Sequence, residues 1–271
     1  MGDLGVEGLG NLKVLLGGTA RSPDDVVFLH GLGLGFAEIP ITNPDKFLGR
    51  LEDYQALRDD LGVYYLCHGP REGDPNNTDT LENIYLPKLI HILSIMPRLK
   101  MDLLTIHLWL DTRFVSARVI EYKVGLLTRL LKRAADSAIR LCVENLSEKA
   151  EHLAPVFDAL PSLSLTLDLG HAQLLSDENT SFGFMERSPD RIAHIHVHDN
   201  RGGNTPAEDL HLPVGDGTVD FAAIFRALTQ MGYNRTMTLE LKPAEISGNL
   251  DRVERMLKAA GFSTGAIRQP R

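Results

Sequence analysis

Cysteine is nearly absent. The 271 residues hold two, Cys67 and Cys142, each inside an apolar run. That excludes a disulfide framework, reads as a pair of buried reduced thiols, and points to the cytoplasm. No apolar run approaches the roughly 18 residues of a membrane span, so no membrane partner is expected. The opening MGDLGVEGLGNLKVLLGG has no basic stretch ahead of an apolar core and does not read as a signal peptide. Val6 stands where a myristoylation signal wants Ser or Thr. An excess of positive charge is missing too: the formal net charge is −8 and the pI about 5.7. This disfavours nucleic acid as a partner, while leaving open an enzyme that visits DNA through a local patch. The densest basic stretch, 113–140 with Arg118, Lys123, Arg129, Lys132, Arg133 and Arg140, reads as the solvated face of an amphipathic helix. A phosphate loop is also lacking: Gly17-Gly18 and the glycines of 30–35 fit neither G-x-G-x-x-G nor a Walker loop. With no repeat, linker or composition shift, residues 1–271 read as a single domain.

What is present is alternation. Eight β-type runs are read at 13–16, 36–41, 63–67, 101–107, 141–144, 163–168, 192–197 and 236–241. Helical patterns lie between them. One opens at Ser22-Pro23, and one runs from Asn43-Pro44 through Leu61 to Gly62. Others cover 81–96, 117–137, 150–160 and 221–231; one begins at 170–175, and a last one covers 249–260. Strands alternating with helices indicate a parallel α/β fold, and eight of them at this length indicate a (β/α)8 TIM barrel. A doubly wound sheet is the alternative.

The chemistry gathers at strand ends. The third run ends in His68, the fourth in His107, the fifth in Glu144 and the sixth in Asp168, with His171 three residues on. The seventh carries His194, His196 and His198 on one face, and its loop carries Asp209 and His211. The second run carries Glu38 and the eighth Glu240. In a (β/α)8 barrel the C-terminal strand ends share one mouth, where active sites lie. Imidazoles and carboxylates crowded there repel or desolvate one another, and divalent cations relieve both costs. With no thiolate, the set suits Zn²⁺, Mn²⁺, Co²⁺ or Fe²⁺, and Mg²⁺ less where several imidazoles bind; Zn²⁺ or Mn²⁺ is expected first, as one to three ions. His194 and His198 fit ligand, supporting or surface roles equally well. His30, His91 and His152 read as surface or packing groups.

GFAEI, LDLGHA, HIHVHDN, DLHLPVGDGTVDF and TLELKP together resemble the xylose isomerase-like barrel superfamily, in particular its sugar-phosphate isomerase and epimerase branch. The resemblance spans about residues 35–243. It implies that Glu144, Asp168, His196 and Glu240 hold a central metal and that Glu144 and Glu240 are catalytic. The implied reaction is proton abstraction beside a carbonyl, on a small sugar, sugar phosphate or polyol-like substrate. Glu38, His68, His107, Trp109, His171 and Arg201 are then expected to contact substrate, with Trp109 at the pocket mouth. The same residues also resemble endonuclease IV, a zinc phosphoesterase acting at abasic DNA. In that reading His68, His107, Glu144, Asp168, His171, His196, Asp209, His211 and Glu240 are all ligands, for three zinc ions. Leu108-Trp109 after His107, NLSEKAEHL after Glu144 and HVHDN depart from that relative's pattern. A metal-dependent lyase or a binding protein on the same barrel is a third class, and a homo-oligomer is compatible with all three.

Overall fold

The structure, a computed structural model, describes residues 12–265. The readings of the N-terminal stretch 1–11 lie outside the described residues. Eight parallel strands close into a barrel: β1 (Leu12–Thr19), β2 (Phe36–Pro40), β3 (Tyr64–His68), β4 (Leu103–Ile106), β5 (Arg140–Glu144), β6 (Ser164–Asp168), β7 (Ile192–Val197) and β8 (Thr236–Leu239). Each pairs with the next, and β1 pairs with both β2 and β8. Several strands differ by a residue or two from the runs that announced them, and in β4 and β8 the last residues of the run have left the ladder. His107 and Glu240 lie just beyond β4 and β8.

The barrel interior changes character along its axis. Leu15, Phe36, Leu66, Leu103, Cys142 and Ala193 form a small apolar cluster. Two residues further along β4 and β6, the Thr105 and Thr166 hydroxyls bond each other at 2.8 Å. Beside them His194 bonds the Thr236 and Thr238 hydroxyls at 2.7 and 3.0 Å. Beyond this hydroxyl layer come the carboxylates and imidazoles. Period-two alternation puts every second residue of a strand on this inner face. The other residues pack outward against the helices in one large apolar core. Cys67 and Cys142 are both buried and free. Among the described residues no helix is long and apolar enough to cross a membrane.

Helix Pro23–Gly31 starts where expected, with Ser22 accepting the Asp25 N–H. The helix expected over 43–61 is two pieces, Pro44–Leu48 and Leu51–Leu61. Gly49 ends the first after little more than a turn, and the restart lets Phe47 stack on Tyr54, ring centroids 5.1 Å apart. At 170–175 only a 3-10 turn, His171–Gln173, forms. The true helix after β6 is Ser181–Arg187, which weak amphipathicity hid. The last helix starts at Pro243, not Asn249: Pro occupies its first turn and Glu245 accepts the Lys242 N–H at 3.0 Å. A ninth strand, β9 (Phe262–Thr264), was not expected; it extends the sheet beyond β1 outside the barrel. The solvated-face reading of the basic stretch fails at Lys123. Its side chain is fully buried and pairs with Glu72 at 2.8 Å.

The loop after β7 is organised by one carboxylate. Asp199 is buried, and its two oxygens accept the N–H groups of Asn200, Gly215, Gly217 and Val219 at 2.8–3.1 Å. A Cβ on Gly217 would run into Asp199 itself, and Gly215 sits at φ +91°. This clamp folds 200–219 back across the mouth and delivers Asp209 and His211 to it. Asp199→Ala removes the acceptor for four N–H groups. It should destabilise the chain by about 3 kcal/mol or more, read as a lower urea midpoint. A stability within about 0.5 kcal/mol of the parent would refute the clamp.

Candidate metal centre

Nine of the residues expected at the site converge on the mouth. Glu144, at the end of β5, is the hub. One oxygen lies 3.2 Å from His68 Nε2 and 2.9 Å from His107 Nε2; the other lies 3.0 Å from His171 Nδ1 and 3.3 Å from His196 Nδ1. His196 Nδ1 also faces Glu240 Oε2 at 3.4 Å and Asp168 Oδ2 at 3.6 Å. Asp209 Oδ2 lies 3.2 Å from both His171 Nε2 and His211 Nε2.

His194 and His198, which alternation alone left between roles, are both fully buried. His194 Nε2 lies 3.3 Å from Glu38, and His196 Nε2 lies 3.1 Å from the same carboxylate. Glu38 thus grips the ring nitrogen of His196 that points away from Glu144, which fixes how that imidazole is presented. His198 Nε2 lies 3.0 Å from Asp168 Oδ1, and its ring stacks on His211, centroids 3.9 Å apart at 11°. Two backbone features allow this. A Cβ on Gly170 would collide with the His198 ring. His211 takes φ +45°, a costly conformation outside glycine. His198 therefore joins His171, Asp209 and His211 as a fourth donor in their group. The signal for it was its place on the same strand face as His196.

The residues present fit a divalent cation. His107 Nε2, Glu144 Oε1, His171 Nδ1, His196 Nδ1 and Glu240 Oε2 are all buried, and although they face one another as ion pairs none makes a well-directed hydrogen bond. Buried polar atoms are rarely left so, and these five point into one cluster. Among the described residues four groups of donors, three of them sharing His196, lie close enough together to hold an ion: Glu144–Asp168–His196–Glu240, His68–Glu144–His196, Glu38–His194–His196, and His171–His198–Asp209–His211. Nitrogen and carboxylate oxygen without thiolate is the donor chemistry of Zn²⁺ and Mn²⁺.

Electrostatics point the same way. Burial pushes the Glu144, Asp168 and Glu38 carboxyls up, but the adjoining imidazoles outweigh it and hold all three well below the ordinary carboxylate value. Burial pulls His171 and His196 down, yet the carboxylates around them hold both well above an ordinary imidazole. For His211 the Asp209 hydrogen bond and the Glu240 charge overcome burial and hold it at about 9. In the metal-free chain protons thus do the neutralising that a cation would otherwise do.

Of the other expected contacts, Trp109 lies at the mouth, its indole N–H donating to Ser147 Oγ at 2.7 Å. Glu38 reaches the floor of a polar cavity of about 400 Å³ but is engaged with His194 and His196. Arg201 is exposed and reaches the Asp216 carbonyl at 3.4 Å, outside that cavity. The cations that line it are Arg21, Arg71 and Lys242. They sit on loops with no periodicity to mark them. His30 and His91 lie on outer helices, and His152 lies 3.6 Å from Asp111.

A model of the xylose isomerase-like TIM barrel family matches residues 27–262. Among curated proteins, the uncharacterised MJ1311 of Methanocaldococcus jannaschii is 26% identical over 144 residues, covering 50% of this chain and 47% of that protein. The chain spans about half the length of the curated relatives it matches. Among solved structures, a D-tagatose 3-epimerase-like protein superposes with TM-score 0.78 at 17% identity, over 90% of this chain and 97% of that one. L-ribulose 3-epimerase superposes with TM-score 0.72 at 16% identity, over 90% and 95%. The TTHB071 protein of Thermus thermophilus, from a zinc chloride soak, superposes with TM-score 0.69 at 22% identity, over 91% and 98%.

The raised imidazoles give the metal-free chain a stability that depends on pH. A group whose folded pKa lies above its unfolded one contributes fully below the unfolded value, about 6.5, and loses that contribution as pH rises through the folded one, about 9 for His211. Metal needs the imidazoles deprotonated. The metal-free melting temperature should therefore fall between pH 6.5 and 9, and added zinc should raise it more at pH 8.5 than at pH 6. Melting curves that are flat across this range, with and without zinc, would contradict the cluster's electrostatics.

Proposed function

This chain belongs to the xylose isomerase-like TIM barrel family, and from that premise we propose that it is a divalent-metal-dependent isomerase or epimerase of a small sugar, sugar phosphate or polyol-like substrate. The observation that carries this reading is the set Glu144, Asp168, His196 and Glu240 on four successive strand ends, whose donor atoms lie within 4.8 Å of one another. The relatives in fold that are named as sugar 3-epimerases support it.

Glu144, Asp168, His196 and Glu240 would hold a Zn²⁺ or Mn²⁺ ion. A bound divalent cation supplies positive charge that lowers the barrier to removing a proton next to a carbonyl. Glu240 is the carboxylate placed to move that proton: its side chain is 16% exposed and lines the polar cavity, whereas Glu144 is fully buried behind His68 and His107. Glu144 takes the complementary role on the other side of the cluster, where four imidazoles hold it ionised. Arg71 and Lys242, at the cavity wall, bind and orient an anionic or hydroxyl-rich end of the substrate. His196 is kept in one orientation by Glu38. Isomerase and epimerase differ in where the proton returns, to the neighbouring carbon or to the opposite face of the same one.

A second reading has its own observation. Three donor groups meet around Glu144 and Asp209, enough for more than one ion, and paired or triple ions suit in-line displacement at a phosphodiester. That reading makes the chain a zinc phosphoesterase like endonuclease IV. Metal content per chain separates the two. About one ion, with deuterium entering the substrate from solvent, supports the isomerase reading. About three zinc ions, with nicking of an abasic duplex, supports the phosphoesterase.

Glu240→Gln should keep the fold, read by circular dichroism and melting, and lower turnover by about 100-fold or more. Parent-like turnover in that variant would remove Glu240 from the chemistry.

A further inference from the structure

Beside the polar cavity the mouth opens into a second one, of about 460 Å³, that shares Arg71, His107 and His171 with it. Its walls are of a different kind: Trp109, Phe114, Leu146, Leu174, Leu175 and Pro206. Trp109 and Phe114 stack, centroids 4.9 Å apart at 27°, and Phe114 is 42% exposed. Polar groups line it as well, Arg71 and Asn204 among them, but four of its polar side chains are already committed: Thr205 Oγ1 donates to Glu208, and Asp209 is held by His171 and His211. Ser147 Oγ accepts from the Trp109 indole and donates to Asp111, while Glu72 accepts the Trp109 N–H at 2.6 Å and pairs with Lys123. Sugar hydroxyls buried against such walls would lose water with little in return.

The chain holds this aromatic wall rigid with buried charges. Lys123 Nζ, fully buried, donates to the Trp109 carbonyl at 2.7 Å, while its partner Glu72 takes the N–H of the same residue. Buried Glu148 takes the next N–H, of Leu110, at 2.6 Å. Burying a Lys–Glu pair is a poor way to gain stability. Its evident effect here is to fix one tryptophan at a strand end, next to His107 of the metal centre. Rigid aromatic surface beside a polar site is the form a pre-organised binding pocket takes.

We propose that this lobe binds a flat apolar group on the molecule processed at the metal centre, so that the substrate carries an aromatic or comparable apolar substituent beside its metal-binding oxygens and is not a bare sugar. The proposal rests on the metal-centre reading above and narrows its substrate class.

The test uses the chain's single tryptophan, whose fluorescence reports on this lobe alone. Zinc uptake by the full chain is measured first. Benzohydroxamate and acetohydroxamate, which share a chelating head and differ in the apolar group, are then titrated into the zinc-loaded protein by calorimetry and by fluorescence. Benzohydroxamate should bind about tenfold or more tighter and change the Trp109 emission, and Phe114→Ser, at an exposed position, should shrink that preference. Equal affinities, or tight binding that leaves the emission unchanged, would overturn the lobe while leaving the metal centre standing. Failure to take up zinc would overturn both.

Discussion

The molecule depends on neutralising a knot of carboxylates and imidazoles that barrel closure forces together. Glu38, Glu144 and Asp168 are buried, and Asp209 and Glu240 nearly so. None has an Arg or Lys within ion-pair distance among the described residues; the partners are imidazoles. Isolated carboxylates at that depth would cost far more than the fold can spare. Two arrangements satisfy them: protons on the imidazoles, or divalent cations with the imidazoles neutral. The raised histidines belong to the first arrangement, and the poorly directed contacts among the buried donor atoms are what a cation would relieve in the second.

The scaffold around this knot serves to hold it still. Below it the Thr105–Thr166 pair and the His194 hydroxyl contacts separate the charges from the apolar barrel floor. Glu38 ties His194 and His196 to each other. Above it the Asp199 clamp draws in the one long loop that supplies donors, and Gly170 leaves room for His198. These are polar contacts made at fixed geometry, the kind of support that keeps donor atoms in place whether or not an ion is bound.

The mouth is not uniform. On one side, Arg21, Arg71 and Lys242 offset part of the chain's acidity and suit an oxygen-rich or anionic group. On the other, the stacked Trp109 and Phe114 offer apolar surface and few free hydrogen-bonding groups. The xylose isomerase-like barrel supplies the strand ends common to both sides; the loops after β1, β3 and β8 bring the cations to one, and those after β4 to β7 bring the apolar wall to the other. In the proposed enzyme, substrate choice therefore belongs to the loops and the chemistry to the strand ends.

Much of this was legible along the chain. Strands β2 to β8 announced themselves because buried strands must alternate or run apolar, and each carried, within it or just past its end, a residue able to bind metal. Once eight such units are counted, closure brings His68, His107, Glu144, Asp168, His196 and Glu240 to one mouth without further information. Pattern also carried the Ser22 and Gly62 helix caps, since capping is a local matter of a few bonds. What pattern could not carry is contact between distant residues. Lys123 looked like part of a solvated basic face, and its burial against Glu72 depends on a helix docking over a loop some fifty residues earlier. Arg201 looked like a substrate grip, yet the fold of its loop sends it to Asp216 and gives the mouth to Arg71 and Lys242 instead. Whether His198 stands at the surface or in the cluster turns on a missing Cβ at Gly170. Local periodicity sets which residues face inward; which of them meet is set by how loops close over the barrel, a matter of long-range packing that no short window of sequence contains.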